Sequence, residues 1–174
     1  MKIALVGNQN CGKSTLFNIL TNSNQKIGNW PGVTIEKKSG FIKGSSNELI
    51  DLPGIYSLSP YSEEEKVTRD FLLNEKVDLI INVVDSTSIE RSLYLTTQLK
   101  ELDVAIILVL NMVDLADKKG VFINKEQLKR ELNVNVVEVS ALKNIGIDEL
   151  LKELNNDNEI SKLNTFDEYL EEKI

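Results

Sequence analysis

The 174 residues include 20 lysines and arginines against 27 aspartates and glutamates, which gives a net charge of −7, and 41% of the residues are hydrophobic. These values are ordinary for one folded domain, and the acidic balance argues against a general nucleic-acid-binding surface. No apolar run reaches 18 residues, the first strand follows Met1 too closely for a signal peptide, and the single cysteine cannot form an internal disulfide. We therefore expect a soluble domain in a reducing compartment.

The chain opens with a predicted buried strand at residues 2–7, and residues 13–21 predict a helix. The segment between them fits G-x-x-x-x-G-K-[ST], a phosphate-binding loop in which backbone N–H groups and a helix N-terminus surround a phosphate. We predict that Lys13 reaches the outer phosphates and that Ser14 binds Mg²⁺. A glycine turn with an exposed lysine is the alternative. The predicted binding residues are Gly7, Asn8, Gln9, Asn10, Cys11, Gly12, Lys13, Ser14 and Thr15.

Two segments near this loop, residues 22–33 and 55–62, lack apolar periodicity and predict mobile loops beside the phosphate site. Thr34 follows the first of them. Its hydroxyl would complete the coordination of Mg²⁺ when a γ-phosphate is present. The alternative is that Thr34 is a β-branched residue that opens the next strand.

Residues 37–43 and 47–51 predict two strands joined by a hairpin turn, so one edge of the sheet is expected to be antiparallel. A D-x-x-G sequence begins at the end of the second strand. Because α/β sheets bind ligands at the carboxyl ends of strands, we predict that Asp51 reaches Mg²⁺ through water and that the Gly54 N–H meets the terminal phosphate. A plain turn is the alternative. The predicted binding residues here are Asp51, Leu52, Pro53 and Gly54.

The second half of the chain predicts helices at 63–74, 89–101, 125–132 and 146–155 and strands at 78–84, 104–110 and 135–139. Asp114 closes an N-x-x-D sequence, and its carboxylate matches the N1–H and exocyclic amine of guanine but has no partner on adenine. A helix cap is the alternative. The segment after residue 139 would close over the base, with the Ala141 N–H facing the guanine oxygen. The predicted base-binding residues are Asn111, Met112, Asp114, Ser140, Ala141 and Leu142.

The alternation of strands and helices predicts an α/β fold with a six-stranded, mostly parallel sheet, one antiparallel edge and helices on both faces. Residues 1–155 are predicted to form this nucleotide-binding domain. Residues 156–174 are acidic and stop in the middle of a helical pattern. One interpretation of these residues is a frayed C-terminal helix, and another is the start of a further helical domain.

The motifs together resemble those of Ras-like P-loop GTPases of the translation-factor-related class. Residues 27–34, with 36–40 behind them, are similar to the G domain of the ferrous iron transport protein B family. The resemblance covers roughly residues 1–155 and departs at Gln9, where proline is usual, and at Cys11, where serine or valine is usual. We expect both side chains to point away from the phosphates, with the Cys11 thiol open to oxidation beside the site.

The resemblance implies a GTP-binding and GTP-hydrolysing regulatory domain of a membrane ferrous iron transporter, at the cytoplasmic face of the inner membrane. Its implied partners are a guanine nucleotide, and a helical domain and a transmembrane iron-transport domain of the same polypeptide, but no nucleic acid. Residues 156–174 would then begin the helical domain. Whether copies assemble into a homo-oligomer is left open.

Hydrolysis has an unusual feature, because Ile55 stands where Ras has a water-positioning glutamine and the chain has no histidine. We therefore predict slow intrinsic hydrolysis. The resemblance implies a K⁺ ion, held by Asn10 and by backbone carbonyls near Asn29 and Trp30, in place of an arginine finger. The alternatives are that Asn10 caps its own turn and that Trp30 is a hydrophobic anchor. The switch residues Gly32, Val33 and Thr34 are also predicted to bind GTP and Mg²⁺. The predicted catalytic residues are Asn10, Lys13, Thr34 and Gly54.

Two other functions remain open from the sequence. One is a soluble K⁺-activated GTPase that acts on RNA or ribosomes, and the other is a nucleotide-binding module with no useful turnover. The acidic charge and residues 29–34 favour the iron-transport interpretation. Measured phosphate release separates an enzyme from a binding module.

Overall fold

The computed structural model describes residues 1–22 and 25–155, which form one sheet flanked by helices. The strands lie in the order β2-β3-β4-β1-β5-β6-β7. Their bounds are β1 (Lys2–Gly7), β2 (Gln25–Asn29), β3 (Glu36–Phe41), β4 (Glu48–Asp51), β5 (Leu79–Asp85), β6 (Ile106–Asn111) and β7 (Asn135–Glu138). The helices are α1 (Lys13–Thr21), α2 (Glu63–Asn74), α3 (Ile89–Lys100), α4 (Val113–Lys118), α5 (Lys125–Leu132) and α6 (Ile147–Leu154), with a short 3₁₀ turn at Ser86–Ser88.

Helices α2 and α5 show why some elements were predictable to the residue. Ser62 caps α2 by accepting a hydrogen bond from the Glu65 N–H at 3.0 Å. Asn124 caps α5 by accepting from the Gln127 N–H, also at 3.0 Å. Each cap residue directly precedes a helical pattern in the sequence, so both starts follow from local chemistry.

The sheet is parallel from β4 through β1, β5 and β6 to β7, and β2 and β3 add an antiparallel edge. The predicted mostly parallel sheet with one antiparallel edge is confirmed. The predicted count of six strands is wrong, because β2 lies within residues 22–33, which we predicted to be a loop. Ile27 is the one large apolar residue of β2 and is exposed, so no apolar alternation marks the strand, whose conformation rests on backbone pairing with β3.

Helix α4 was not predicted either. It has six residues and begins after Met112, whose backbone is left-handed at φ 64°. Six residues are too few for an apolar period to be recognised.

Strand β1 is buried on both faces of the sheet, which explains its uninterrupted apolar sequence. On one face, Ile3 and Leu5 share a hydrophobic cluster with residues of α1 and α6, and on the other face Ala4 and Val6 share one with residues of α2 and α3. Helices therefore cover both faces, as predicted. This packing fixes the end of β1, from which the predicted phosphate loop departs.

No helix in the described ranges is both long enough and apolar enough to cross a membrane. Residues 156–174, which we predicted to start a helical domain, lie outside the described residues.

Candidate nucleotide-binding site

A cavity of about 440 Å³ lies at the carboxyl edge of the sheet, between the loop that leaves β1 and the segment that leaves β4. It is polar in character, with amide, hydroxyl and ammonium groups on its wall. The lining residues are Asn8, Gln9, Asn10, Gly12, Lys13, Ser14, Thr15 and Gly54. The structure thus brings most of the predicted phosphate-loop residues and Gly54 to one space.

Gly12 has two reasons to be glycine. Its backbone is left-handed at φ 85°, where it directly precedes α1. A methyl group on its Cα would also overlap the side-chain amide of Asn111. Asn10, also on the cavity wall, has φ 64°, a conformation that asparagine tolerates better than most residues.

The ammonium of Lys13 forms an ion pair with Asp51 Oδ1 inside this region. Both side chains are largely buried, at 10% and 11% exposure. Gly54 lies three residues after Asp51, and a Cβ at this position would lie 3.0 Å from Gln9 Cγ and 3.1 Å from Gln9 Cα. The segment after β4 is therefore pressed against the phosphate loop, and a side chain at Gly54 would push the two apart.

Asn111 joins the predicted base end of the site to the phosphate loop. Its Nδ2 donates a hydrogen bond to the Cys11 carbonyl at 2.9 Å, and its Oδ1 accepts one from the Ala141 N–H at 3.0 Å. The side chain is buried, so these bonds are shielded from water. The Ala141 N–H, which we predicted to face a guanine oxygen, donates to Asn111 instead. Leu142 next to it is exposed.

Asp114 is held by two neighbours from the segment after β7. A hydrogen bond with the Ser140 hydroxyl, together with the hydrogen bond and positive charge of Lys143, lowers the pKa of the Asp114 carboxyl below its ordinary value. The Lys143 ammonium lies 3.4 Å from Asp114 Oδ2. Sequence reasoning missed Lys143, because a lysine in a polar loop carries no pattern that distinguishes it from any exposed lysine.

The first predicted switch segment stands apart from the cavity wall. Thr34 and Gly32 are exposed, Val33 is half-buried, and all three follow β2 in a turn. Trp30 is buried, with its ring 5.4 Å from the ring of Phe71 in an edge-to-face contact. These placements make Trp30 an anchor of the segment, and the role of Thr34 in binding Mg²⁺ stays a prediction.

For Mg²⁺, the residues present fit. Ser14 is exposed on the cavity wall, and the Asp51 carboxylate, which is not part of the cavity lining, is paired with the ammonium of the adjacent Lys13, so a hydroxyl and a carboxylate lie near the same lysine. Oxygen donors of this kind suit a hard divalent cation that shares its coordination with phosphate and water.

For K⁺, the fit is partial. Asn10 lines the cavity, but Asn29 ends β2 in the edge pairing with Glu36, and the Trp30 carbonyl accepts a hydrogen bond from the Val33 N–H at 3.3 Å. Neither Asn29 nor Trp30 belongs to the cavity lining. The potassium site therefore stays a prediction, supported in this structure by Asn10 alone.

Ile55, which stands where Ras has a glutamine, and Cys11, which stands where the family usually has serine or valine, are both buried. The Ile55 N–H donates to the Gly7 carbonyl at 3.0 Å, and its side chain packs in the core rather than toward the phosphates. The Cys11 thiol also lies in the core, as expected for a side chain that points away from phosphate. Burial raises the pKa of that thiol to about 11, which disagrees with our expectation of a thiol open to oxidation.

The chain is similar to known proteins over most of its length. The profile of a family described as "Ferrous iron transport protein B" matches residues 1–154. An Fe(2+) transporter FeoB of Legionella pneumophila (strain Paris) is 47% identical over 156 residues, covering 86% of this chain and 21% of that relative. One from Campylobacter jejuni is 47% identical over 156 residues, covering 88% of this chain and 25% of that relative. The chain thus spans 21% to 25% of the length of these relatives.

Solved structures give the same result for the fold. A variant of NFeoB from S. thermophilus bound to GDP has a TM-score of 0.85 and 53% identity, covering 88% of this chain and 61% of that one. The cytosolic domain of L. pneumophila FeoB has a TM-score of 0.85 and 44% identity, covering 90% of this chain and 69% of that one. The predicted Ras-like α/β fold is confirmed by these similarities.

Proposed function

Because the chain belongs to the ferrous iron transport protein B family, we propose that it binds GTP and hydrolyses it to GDP and phosphate with Mg²⁺. The observation that carries the proposal is the bridge made by Asn111, which ties the phosphate loop at Cys11 to the base-reading segment at Ala141. One buried side chain thereby sets the spacing between the two ends of a single nucleotide. A related NFeoB from S. thermophilus has been solved with GDP, in keeping with a guanine ligand.

The phosphate end would work by exchanging the partner of Lys13. In the structure Asp51 neutralises the Lys13 ammonium. A triphosphate that enters the cavity offers Lys13 a stronger anionic partner, and Asp51 is then available to a metal-bound water. Ser14 would supply a hydroxyl to the same Mg²⁺, which when bound neutralises charge on the outer phosphates.

The base end would select guanine through Asp114. Like an ordinary aspartate, it is ionised at neutral pH and can therefore accept hydrogen bonds. Adenine presents an acceptor where guanine presents N1–H, so Asp114 rejects it by leaving acceptors face to face. Asp114 lies in the segment after β6, and Ser140, which helps to hold it, lies in the segment after β7.

Hydrolysis by this site would be slow without help. The Ile55 side chain is buried and carries no group that positions water, which leaves backbone N–H groups, Lys13 and Mg²⁺ to neutralise the transition state. We include in the proposal a K⁺ ion bound with the help of Asn10, which lines the cavity. Thr34 is proposed to join the Mg²⁺ ligands when GTP is bound.

The role in iron transport is inferred from membership of the family. We propose that residues 1–155 are the G domain of a longer membrane protein that moves ferrous iron, that this domain faces the cytoplasm, and that residues 156–174 begin a helical domain. The family assignment gives no support to the alternative of an RNA-acting or ribosome-acting GTPase. Ferrous iron uptake into proteoliposomes by the full-length protein, with GTP against GDP inside, tests the role in transport.

Phosphate release by the purified chain tests the hydrolytic proposal. We expect GTP but not ATP to be hydrolysed, faster in KCl than in NaCl at equal ionic strength. Asn10→Ala should remove most of this difference while GDP binding is retained. Asn133→Ala is the matched control, because Asn133 also has a left-handed backbone, at φ 50°, but lies at the end of α5. A wild-type chain that releases no phosphate would refute hydrolysis, and equal rates in the two salts would refute the role of K⁺.

A further inference from the structure

Helix α3 holds the segment that follows Gly54 at two points. The Arg91 guanidinium lies over the ring of Tyr56, 4.7 Å from its centroid. Two turns further along the helix, Gln98 Oε1 accepts a hydrogen bond from the Leu58 N–H at 2.9 Å. Residues seven apart share one face of an α-helix, so this face of α3 grips residues 56–58 as a unit. We call Arg91 and Gln98 the α3 clamp.

The helix that carries the clamp is fixed relative to the phosphate loop. Thr96, on the buried side of α3, donates a hydrogen bond to Asn82 Oδ1, and Asn82 Nδ2 donates to the Val6 carbonyl at 3.4 Å. Val6 belongs to β1, which leads directly into the phosphate loop. Leu95 and Leu99 of α3 are fully buried in the same cluster. A position held by α3 is therefore a position held relative to Lys13 and its phosphates.

A second cavity lies beneath the contact between Arg91 and Tyr56. It has a volume of about 170 Å³ and separates α3 from the outer side of the phosphate loop. Asn8, Gln9 and Asn10 line both this cavity and the larger one. Tyr56 and Arg91 are both exposed, and the cavity beneath them reaches the three loop residues that both cavities share.

The clamp matters because the residues next to Gly54 offer no catalytic side chain. Ile55 is fixed in the core and bonded through its N–H to Gly7. From Gly54 onward, the course of the backbone is then set by three successive attachments, to Gly7, to Arg91 and to Gln98. We propose that Arg91 and Gln98 are positioning residues for GTP hydrolysis, which hold the Gly54 N–H where it meets the terminal phosphate. The inference rests on the hydrolysis proposed above.

Steady-state kinetics of single and double variants test the clamp. Arg91→Gln and Tyr56→Leu should each lower kcat roughly two- to fivefold, the range expected of a partly exposed cation–π contact, with KM and the Kd for GDP unchanged. The double variant should be no slower than the slower single variant, because both remove one contact. Arg91→Lys should keep most of kcat, since an ammonium also binds the face of the ring.

Matched controls are available on the same surface. Tyr94→Leu removes an exposed tyrosine of α3 that is not part of the clamp, and Arg130→Gln removes an exposed arginine of α5. Both should hydrolyse GTP at the wild-type rate. Thermal unfolding of every variant checks that the fold is retained.

Hydrogen exchange at the Leu58 amide gives a reading that does not depend on turnover. Gln98→Ala, and to a smaller degree Arg91→Gln, should speed this exchange in the complex with a non-hydrolysable GTP analogue. Wild-type exchange in both variants would overturn the clamp. So would an unchanged kcat in Arg91→Gln and Tyr56→Leu while the wild-type chain hydrolyses GTP. A wild-type chain without turnover refutes the proposed hydrolysis and this role in it, whatever the exchange of Leu58.

Discussion

The two ends of the nucleotide site are held in different ways. At the base end, Asn111 forms two buried neutral hydrogen bonds, one donated to the Cys11 carbonyl and one accepted from the Ala141 N–H. The phosphate end is held by a charged pair, Lys13 with Asp51, next to turn residues that remain exposed. Under the proposed function, the base end would set which nucleotide binds, and the phosphate end, whose main contact can change partner, would respond to the presence of the γ-phosphate. The substitutions below break one end at a time.

The largest effect is expected at Lys13. Lys13→Ala removes the charge that meets the phosphates and leaves the Asp51 carboxylate unpaired in the same space, so GTP affinity should fall roughly 100-fold or more. Calorimetric titration with a GTP analogue measures it, with Lys26→Ala on the exposed edge strand as the control.

Loss of binding in Lys13→Ala has two sources, which a second variant separates. Lys13→Ala with Asp51→Ala removes both charges and should recover thermal stability without recovering affinity. Wild-type affinity in a folded Lys13→Ala chain would contradict the assignment of Lys13 to the phosphates.

At the base end, Asn111→Ala should be the most damaging change. It leaves the Cys11 carbonyl and the Ala141 N–H without their partner in a buried region, which should lower the free energy of unfolding by about 2–4 kcal/mol. Guanine nucleotide affinity should fall as well, because the two ends of the site lose their common spacer. Urea unfolding measures the first effect, and Asn135→Ala on β7 is the control. Unchanged stability would show that the bridge is dispensable.

Asp114→Asn should change specificity more than stability. The new amide can donate to the 2-oxygen of xanthine, whereas the carboxylate accepts from the exocyclic amine of guanine. The mismatch with guanine and the new match with xanthine should shift the preference between GDP and XDP roughly tenfold or more toward XDP. A competition experiment with both nucleotides decides it, and a variant that still favours GDP would mean that another group reads the base.

The smallest effect is expected for the groups that hold Asp114. Ser140→Ala and Lys143→Met should each raise the pKa of Asp114 toward its ordinary value of 3.8, because the Ser140 hydrogen bond and the Lys143 ammonium both lower it. A carboxyl whose pKa is lowered by folding stabilises the fold above its unfolded pKa and loses that contribution as the pH falls through the folded pKa. Both variants should therefore be less stable than the wild type above about pH 4, and should lose less stability than the wild type as the pH falls further. NMR titration of the Asp114 carboxyl carbon in each variant measures the two shifts, and an unchanged pKa in both would contradict the assignment.

Local sequence was sufficient for elements whose signals lie within a few residues. Helix α2 has its Ser62 cap and three acidic residues in its first turn, and β1 has an apolar run between Lys2 and the glycine of the phosphate loop. The phosphate-loop residues could be predicted for the same reason, because the pattern, the strand and the helix are adjacent in the chain.

The sequence was insufficient where a residue depends on a distant partner. Strand β2 takes its conformation from β3, with one large apolar residue of its own, and Lys143 acquires its role from Asp114 across the base end. The spacing of Arg91 and Gln98 on a predicted helix is visible in the sequence, but Tyr56 and Leu58, which they contact, lie more than 30 positions away. These contacts follow from topology, which brings α3 beside the segment after β4.

The sulfur of Cys11 gives the chain a built-in chemical reporter. The thiol is shielded beneath the phosphate loop and protonated at physiological pH, so alkylating reagents can reach it only when the loop lifts from the core. With one cysteine in the sequence, alkylation can occur only at this loop and therefore reports its opening. Cys11 therefore allows opening of the phosphate loop to be followed by alkylation without an engineered probe.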